Sequence, residues 1–222
     1  MSKSFAACFE DLHLLKHPFY QAWMAGELRP ESLRDYACQY SYHVNRFPRY
    51  LSAIHSNCEN PAWRRDLLEN LNDEEGLLHG TSHPDLWLQF AEGLGLSANE
   101  VAQAEPREAI RKVADTFFSF ARSSFHEGLG ALYAYESQVP EIATSKIEGL
   151  RRRYDIGSDR ALAFFSVHEK ADLEHRRVIA EILDALPENE RTQAQSAARV
   201  SAQALWDFLS DVHSIGNLNQ AS

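Results

Sequence analysis

The chain of 222 residues has no apolar run approaching the ~20 residues that span a bilayer. Its cysteines are too few and too scattered to staple a fold. Cys8, Cys38 and Cys58 make an odd count at wide spacing, which argues against a disulfide framework or a zinc knuckle and points to a reducing cytoplasm. Valine and isoleucine are sparse beside leucine, alanine and glutamate, and no six-residue stretch alternates cleanly enough to predict a strand. Basic residues are outnumbered by acidic ones, 22 to 32. A surface with that balance repels phosphate backbones, so nucleic acid is not an expected partner. The opening MSKSFAACFEDLHLLK carries acidic residues within its apolar stretch and lacks the h-region of a signal peptide. What remains is ample: 44% apolar residues exclude a disordered chain, and the length suffices for one domain with a sizeable core.

The punctuation of the chain predicts helices almost throughout. A first helix is expected over 4–16, a short one from Pro18 to Gly26, and a long one over 30–56 with Pro48 as a kink. Asn60-Pro61 opens another to about Gly76, and His83-Pro84 one to about Gly93. Ser97-Ala98-Asn99-Glu100 has the spacing of a capping box. Residues 106–154 read as helix interrupted at Gly128, Gly130 and Pro140. A helix over 158–186 and a last one over 188–213 complete the reading. The expectation is an all-α, single compact bundle of seven to eight helices over 1–215, with a loosely ordered tail over 216–222.

Ten histidines set among many carboxylates and eight tyrosines need a reason. The strongest local feature is His168-Glu169-Lys170-Ala171-Asp172-Leu173-Glu174-His175. His168, Asp172 and His175 stand at i, i+4 and i+7, within a narrow sector of one helix face. Two imidazoles and a carboxylate suit iron or manganese, and Leu162, Phe165, Ile179 and Ile182 bury much of the same helix. In YAYESQVP, Glu136 ends an apolar, small-residue stretch, where a carboxylate is costly unless paired or ligated. Asn72-Asp73-Glu74-Glu75 precedes His79 and His83, and carboxylates ending one helix ahead of histidines opening the next also converge on a metal. Together three pieces offer Glu, His, Glu, His, Asp and His, enough for two ions in a helical bundle. The two Glu-x-x-His pairs that ferritin-like proteins use are not both present, so the bundle is of another kind.

HPFYQAW (17–23), FPRYLSAIHSNC (47–58), NLNDEE (70–75), HPDLW (83–87), ALYAYESQVP (131–140) and HEKADLEH (168–175) form a specific set. As a set they resemble the haem-oxygenase-like dimetal oxidase/oxygenase family, which includes the pyrroloquinoline-quinone synthesis protein C and thiaminase-like proteins. Within it the resemblance is to the subfamily of the chlamydial protein associating with death domains, which makes para-aminobenzoate for folate synthesis, and it spans about 5–209. It implies a haem-oxygenase-like helical fold and a non-haem dimetal oxygenase, Fe/Fe or Mn/Fe, using O2 and an external reductant. It also implies a homodimer. The implied ligands are Glu74, His83, Glu136, His168, Asp172 and His175. The implied reaction is self-sacrificing: Tyr20 supplies the ring and Lys146 the amino group, with Tyr36 and Tyr135 as further tyrosines near the site, radical relays or alternative substrates. The chain departs from the family pattern at GLLHGTS, two residues longer, so Glu75 with His79 competes with Glu74 and His83. By spacing alone, Lys146 reads as an exposed helix lysine and Tyr20 as a core aromatic beside Phe19 and Trp23.

Three other functions are weighed against this one. An oxidase like the quinone-synthesis relative needs a basic pocket for an anionic substrate and no full ligand set. A thiaminase-like enzyme needs a nucleophilic cysteine deep in the bundle, and all three cysteines precede residue 60. A non-enzymatic death-domain binder would have no use for a buried ligand set.

Overall fold

Prolines and small polar residues fix where the helices begin. All eight prolines stand in or just before a first helical turn, where the missing N–H costs nothing and the fixed φ suits the helix. The computed structural model describes the backbone of residues 5–77 and 80–218, and the side chains of those residues apart from 170–173 and 216–218. Among the described residues there are helices and no strand. Two 3₁₀ segments, Phe5–Leu12 and Leu14–Lys16, lead into α1 (Pro18–Ala25), α2 (Pro30–Val44), α3 (Phe47–Ser56), α4 (Pro61–Glu74), α5 (His83–Gly93) and α6 (Ala98–Gln103). Then follow α7 (Glu108–Ser123), α8 (Phe125–Glu136), α9 (Val139–Arg153), α10 (Asp159–Ala185) and α11 (Glu188–Leu218). None of these helices is long and apolar enough to cross a membrane.

The all-α expectation holds, with more and shorter helices than the sequence reading drew. Pro48 does not kink a long helix but sits in the first turn of a new one, α3. Ser124, extended at φ −152°, caps α8 by accepting from the Glu127 amide and so divides 106–154 earlier than expected. The capping box at Ser97 forms as its spacing predicts. The opening 3₁₀ segment leaves helical geometry at Phe9 (φ −136°). The last helix runs past His213 to Leu218, so part of the expected tail is helical backbone.

Gly128 and Gly130 do not interrupt anything. They lie inside α8, whose residues from Gly128 to Glu136 are all buried. A helix buried on every side needs neighbours at close range, and small residues permit it. A Cβ on Gly130 would stand 2.1 Å from the Ala194 carbonyl oxygen of α11, so the two backbones touch there. Around α8 pack α7, α10 and α11, while α2 lies on α5 and α7, and α9 on α10 and α1. The interior is rich in large rings, with Trp23, Tyr36, Trp87, Phe90, Phe165 and Phe208 almost wholly buried.

The Gly130 contact has a direct consequence. Gly130→Val would force α8 and α11 apart and should cost roughly 1–3 kcal/mol, lowering the melting temperature by several degrees in a chain of this size. An unchanged thermal midpoint would contradict the close approach.

Candidate metal centre and the adjoining tyrosine–lysine cavity

Helix ends bring Glu74 and His83 together. Glu74 is the last residue of α4, and Gly76, at φ +70°, turns the chain away immediately after it. His83 is the first residue of α5, set by the Ser82 cap, whose side chain accepts from the Asp85 amide. The turn therefore returns His83 to Glu74, with His83 Nδ1 2.9 Å from Glu74 Oε2. The longer GLLHGTS segment is taken up in this connection, where Gly80 also adopts a positive φ and Leu77 is exposed. Glu75 caps α4 and is exposed, so it does not face the site. His79 lies outside the described residues.

On α10, His168 completes a cluster. One ligand atom from each of Glu74, His83 and His168 lies within 4.8 Å of the others, and all three residues are buried. The His83 and His168 rings are 4.3 Å apart. His168 Nδ1 is 2.6 Å from the Phe164 carbonyl, an acceptor only, so Nδ1 carries the proton in the neutral ring. Two imidazole nitrogens and a carboxylate fit iron or manganese.

A second group adjoins the first. Glu136, only 2% exposed, ends α8, and its Oε1 accepts from Asn70 Nδ2 at 2.8 Å. His175 Nε2 stands 3.3 Å from Asp73 Oδ2. The group of ligand atoms within 4.8 Å of one another comprises Glu74, His83 and His168 among the described residues, and the Asp172 side chain lies outside those residues. A cavity of about 530 Å³ between α4 and α10 is lined by Asn70, Asp73 and His175. Asp73 stands in the acidic piece that the sequence marks, whereas Asn70 was given no role there. Its signal was available: Asn70, Asp73 and Glu74 lie at i, i+3 and i+4 on one helix.

The four residues implied to carry the chemistry converge in a second, drier place. Lys146 on α9 is not an exposed lysine but 4% exposed. Its Nζ donates to the Tyr36 hydroxyl at 2.6 Å. The amine is ringed by Tyr36, Phe165, Tyr20, Tyr40, Trp23 and Trp87, with centroids 4.8 to 5.7 Å away. Loss of hydration brings its pKa down to about 7. The Tyr20 and Tyr36 hydroxyls are 3.5 Å apart, and Tyr40 donates to Tyr135 at 2.9 Å. Burial holds Tyr20, Tyr36 and Tyr40 protonated far above the usual phenol range, and the Glu74 carboxylate adds to this at Tyr40. Tyr20, Tyr40, Tyr135, Lys146 and His168 line one inner cavity of about 20 Å³. Tyr40 was also missed, although it sits one turn after Tyr36 on α2.

A sequence model described as iron-containing redox enzyme matches residues 34–207. The chain belongs to the iron-containing redox enzyme family. It is 40% identical over 204 residues to a 4-aminobenzoate synthase of Chlamydia muridarum, covering 91% of this chain and 86% of that protein. It is 24% identical over 198 residues to a pyrroloquinoline-quinone synthase of Acinetobacter baumannii, covering 87% and 78%. Two solved structures share the fold. One is a domain of unknown function with a haem-oxygenase-like fold from Shewanella denitrificans (TM-score 0.81, 15% identity, 97% and 91% covered). The other is a TenA homologue from P. horikoshii (TM-score 0.76, 19% identity, 94% and 95% covered). As an iron-containing redox enzyme, the chain has in Glu74, His83 and His168 a buried donor set suited to that metal.

The buried lysine sets a pH dependence. Its folded pKa, about 7, lies below the ordinary 10.5, so between those values the unfolded chain binds the extra proton and stability rises with pH. Below about 7 both states are protonated and the burial penalty is complete. Lys146→Met should therefore stabilise the protein most below pH 7, with a gain that shrinks as pH rises toward 10. Denaturant titrations at pH 6, 8 and 10 check this, and a gain independent of pH would contradict it.

Proposed function

We propose that this protein is an oxygen-dependent 4-aminobenzoate synthase that draws the product from its own chain, the ring from Tyr20 and the nitrogen from Lys146. The proposed site holds two metal ions, Fe/Fe or Mn/Fe, through Glu74, His83, Glu136, His168, Asp172 and His175. The observation that carries this reading is the inner cavity. Tyr20 and Lys146 line it together with His168, and at about 20 Å³ it admits a molecule the size of water or dioxygen but no aromatic substrate. The ring to be cut would then already be in place.

When bound, the metals supply what side chains lack, activation of dioxygen for breaking the bond from a phenol ring to its Cβ. The protein does the rest. The Phe164 carbonyl fixes the His168 tautomer, and Asn70 orients Glu136. The aromatic shell excludes water and keeps a large fraction of Lys146 as free amine near pH 7, the form able to act as a nucleophile. Tyr36 holds that amine, and Lys146 Nζ stands 5.3 Å from the Tyr20 ring centre. The Tyr36 hydroxyl and Lys146 amine can exchange a proton across 2.6 Å without solvent. The proposed partners are dioxygen and an external electron donor in the cytoplasm, with the protein working as a homodimer.

Oxidation of an external heterocycle, as the more distant quinone-synthase relatives' name suggests, does not match so small a cavity. A thiaminase-like reaction needs a thiol there. Cys8, Cys38 and Cys58 do not line the cavity, and burial raises the pKa of all three.

Protein produced with iron or manganese should carry close to two ions per chain by elemental analysis, and His168→Ala should reduce this. Unchanged occupancy in that variant would refute the ligand role. Expression in a para-aminobenzoate auxotroph should restore growth, and Tyr20→Phe and Lys146→Arg should each abolish rescue. Intact-mass measurement after reduction and oxygen exposure should show loss at Tyr20 and Lys146. Continued product formation by unmodified protein would rule out self-sacrifice.

A further inference from the structure

Tyr40 sits where the two groups of tyrosines meet. Its hydroxyl donates to Tyr135 at 2.9 Å. Its ring stacks on Tyr36, with centroids 5.3 Å apart and planes at 19°. Lys146 Nζ is 5.6 Å from its ring centre, and it lines the inner cavity beside His168 and Tyr135. Tyr36 in turn touches Lys146 and Tyr20 through its hydroxyl. Tyr40 thus contacts Tyr135 through its hydroxyl and Tyr36 through its ring face.

We infer that Tyr40 is the link that passes an oxidising equivalent from Tyr135 to the Tyr36–Lys146–Tyr20 group. The inference rests on the oxygen-dependent reading above. An oxygen-derived one-electron oxidant takes an electron and a proton from Tyr135, leaving a phenoxyl radical. Tyr40, the donor in the shared hydrogen bond, gives its hydroxyl hydrogen atom to that oxygen. Tyr135 returns to the phenol and Tyr40 becomes the radical. An electron from the stacked Tyr36 ring then fills Tyr40, and the Tyr36 hydroxyl turns its proton to the neutral Lys146 amine, 2.6 Å away between heavy atoms, and transfers it there. The radical now rests on Tyr36 beside Tyr20, and the Lys146 ammonium offsets the phenolate left on Tyr40. One electron and one proton have left the group in total, both to the oxidant.

The test variant is Tyr40→Phe, which keeps the ring and removes the hydroxyl. In metal-free full-length protein with ring-¹³C tyrosine, the Tyr135 Cζ resonance should move and that of Tyr154 should not. An unmoved Tyr135 would overturn the hydrogen bond on which the link depends. In metal-loaded protein exposed to dioxygen with a chemical reductant, freeze-quenched electron paramagnetic resonance should find the radical held at Tyr135. The yield of 4-aminobenzoate should fall about tenfold or more, a change in barrier of one 1.36 kcal/mol step or larger, with metal content unchanged. Placing 3-fluorotyrosine at position 40 should restore the yield. Product at the wild-type yield from Tyr40→Phe would overturn the inference. If that variant fails to fold, the fluorotyrosine protein decides: its more acidic hydroxyl should shift the pH profile of product formation, and an unshifted profile would refute the link. Failure of self-sacrifice reads differently. Wild-type protein would then make product while Tyr20 keeps its mass, and the Tyr40→Phe yield would still decide the link.

Discussion

The placement of one amine governs the rest of the interior. Lys146 carries its Nζ into a shell of six rings drawn from α1, α2, α5 and α10, and the Tyr36 hydroxyl is its hydrogen-bond partner. Two effects compete there. Each ring face attracts an ammonium by up to ~2 kcal/mol when water is excluded, whereas desolvation favours the neutral amine. Burial brings the pKa down to about 7. Below that pH the fold gives up stability to hold a buried ammonium, and the tight ring packing of the core has to offset it.

The frame that permits this is α8. Because it is buried from Gly128 to Glu136, adjacent residues on it face different chemistry. Tyr135 turns to the tyrosine cavity and Glu136 to Asn70 of α4. The same division appears on α10, where Phe165 lies against Lys146 and His168 joins Glu74 and His83. Two neighbouring helices thus each serve both the metal side and the amine side. That shared support explains how the His168 imidazole and a buried lysine come to border one small cavity.

Much of this was legible in the residues. Prolines, serine caps and the glycine at 26 mark helix limits because capping and φ restriction act within one turn. The His168, Asp172 and His175 spacing marks a face for the same reason. Three readings fell short. Gly128 and Gly130 read as breaks, because intrinsic propensity contains no information about Ile54 of α3, which crowds Gly128, or the α11 backbone, which crowds Gly130. Glu75 competed with Glu74 until the positive φ of Gly76 ended α4 and left Glu75 exposed. Asn70 and Tyr40 went unnoticed because each takes its meaning from a partner far along the chain.

The sequence by itself determined the helical class, most helix starts and the residue types of a metal-binding face. Those follow from interactions between residues a few positions apart. Only the tertiary structure decided that Lys146 is buried, that it meets Tyr36 from 110 positions away, and that Tyr20 and His168 share its cavity. The physical reason is desolvation. Whether an amine or a phenol keeps its water is settled by every helix packed around it, and a local pattern on one helix cannot specify that.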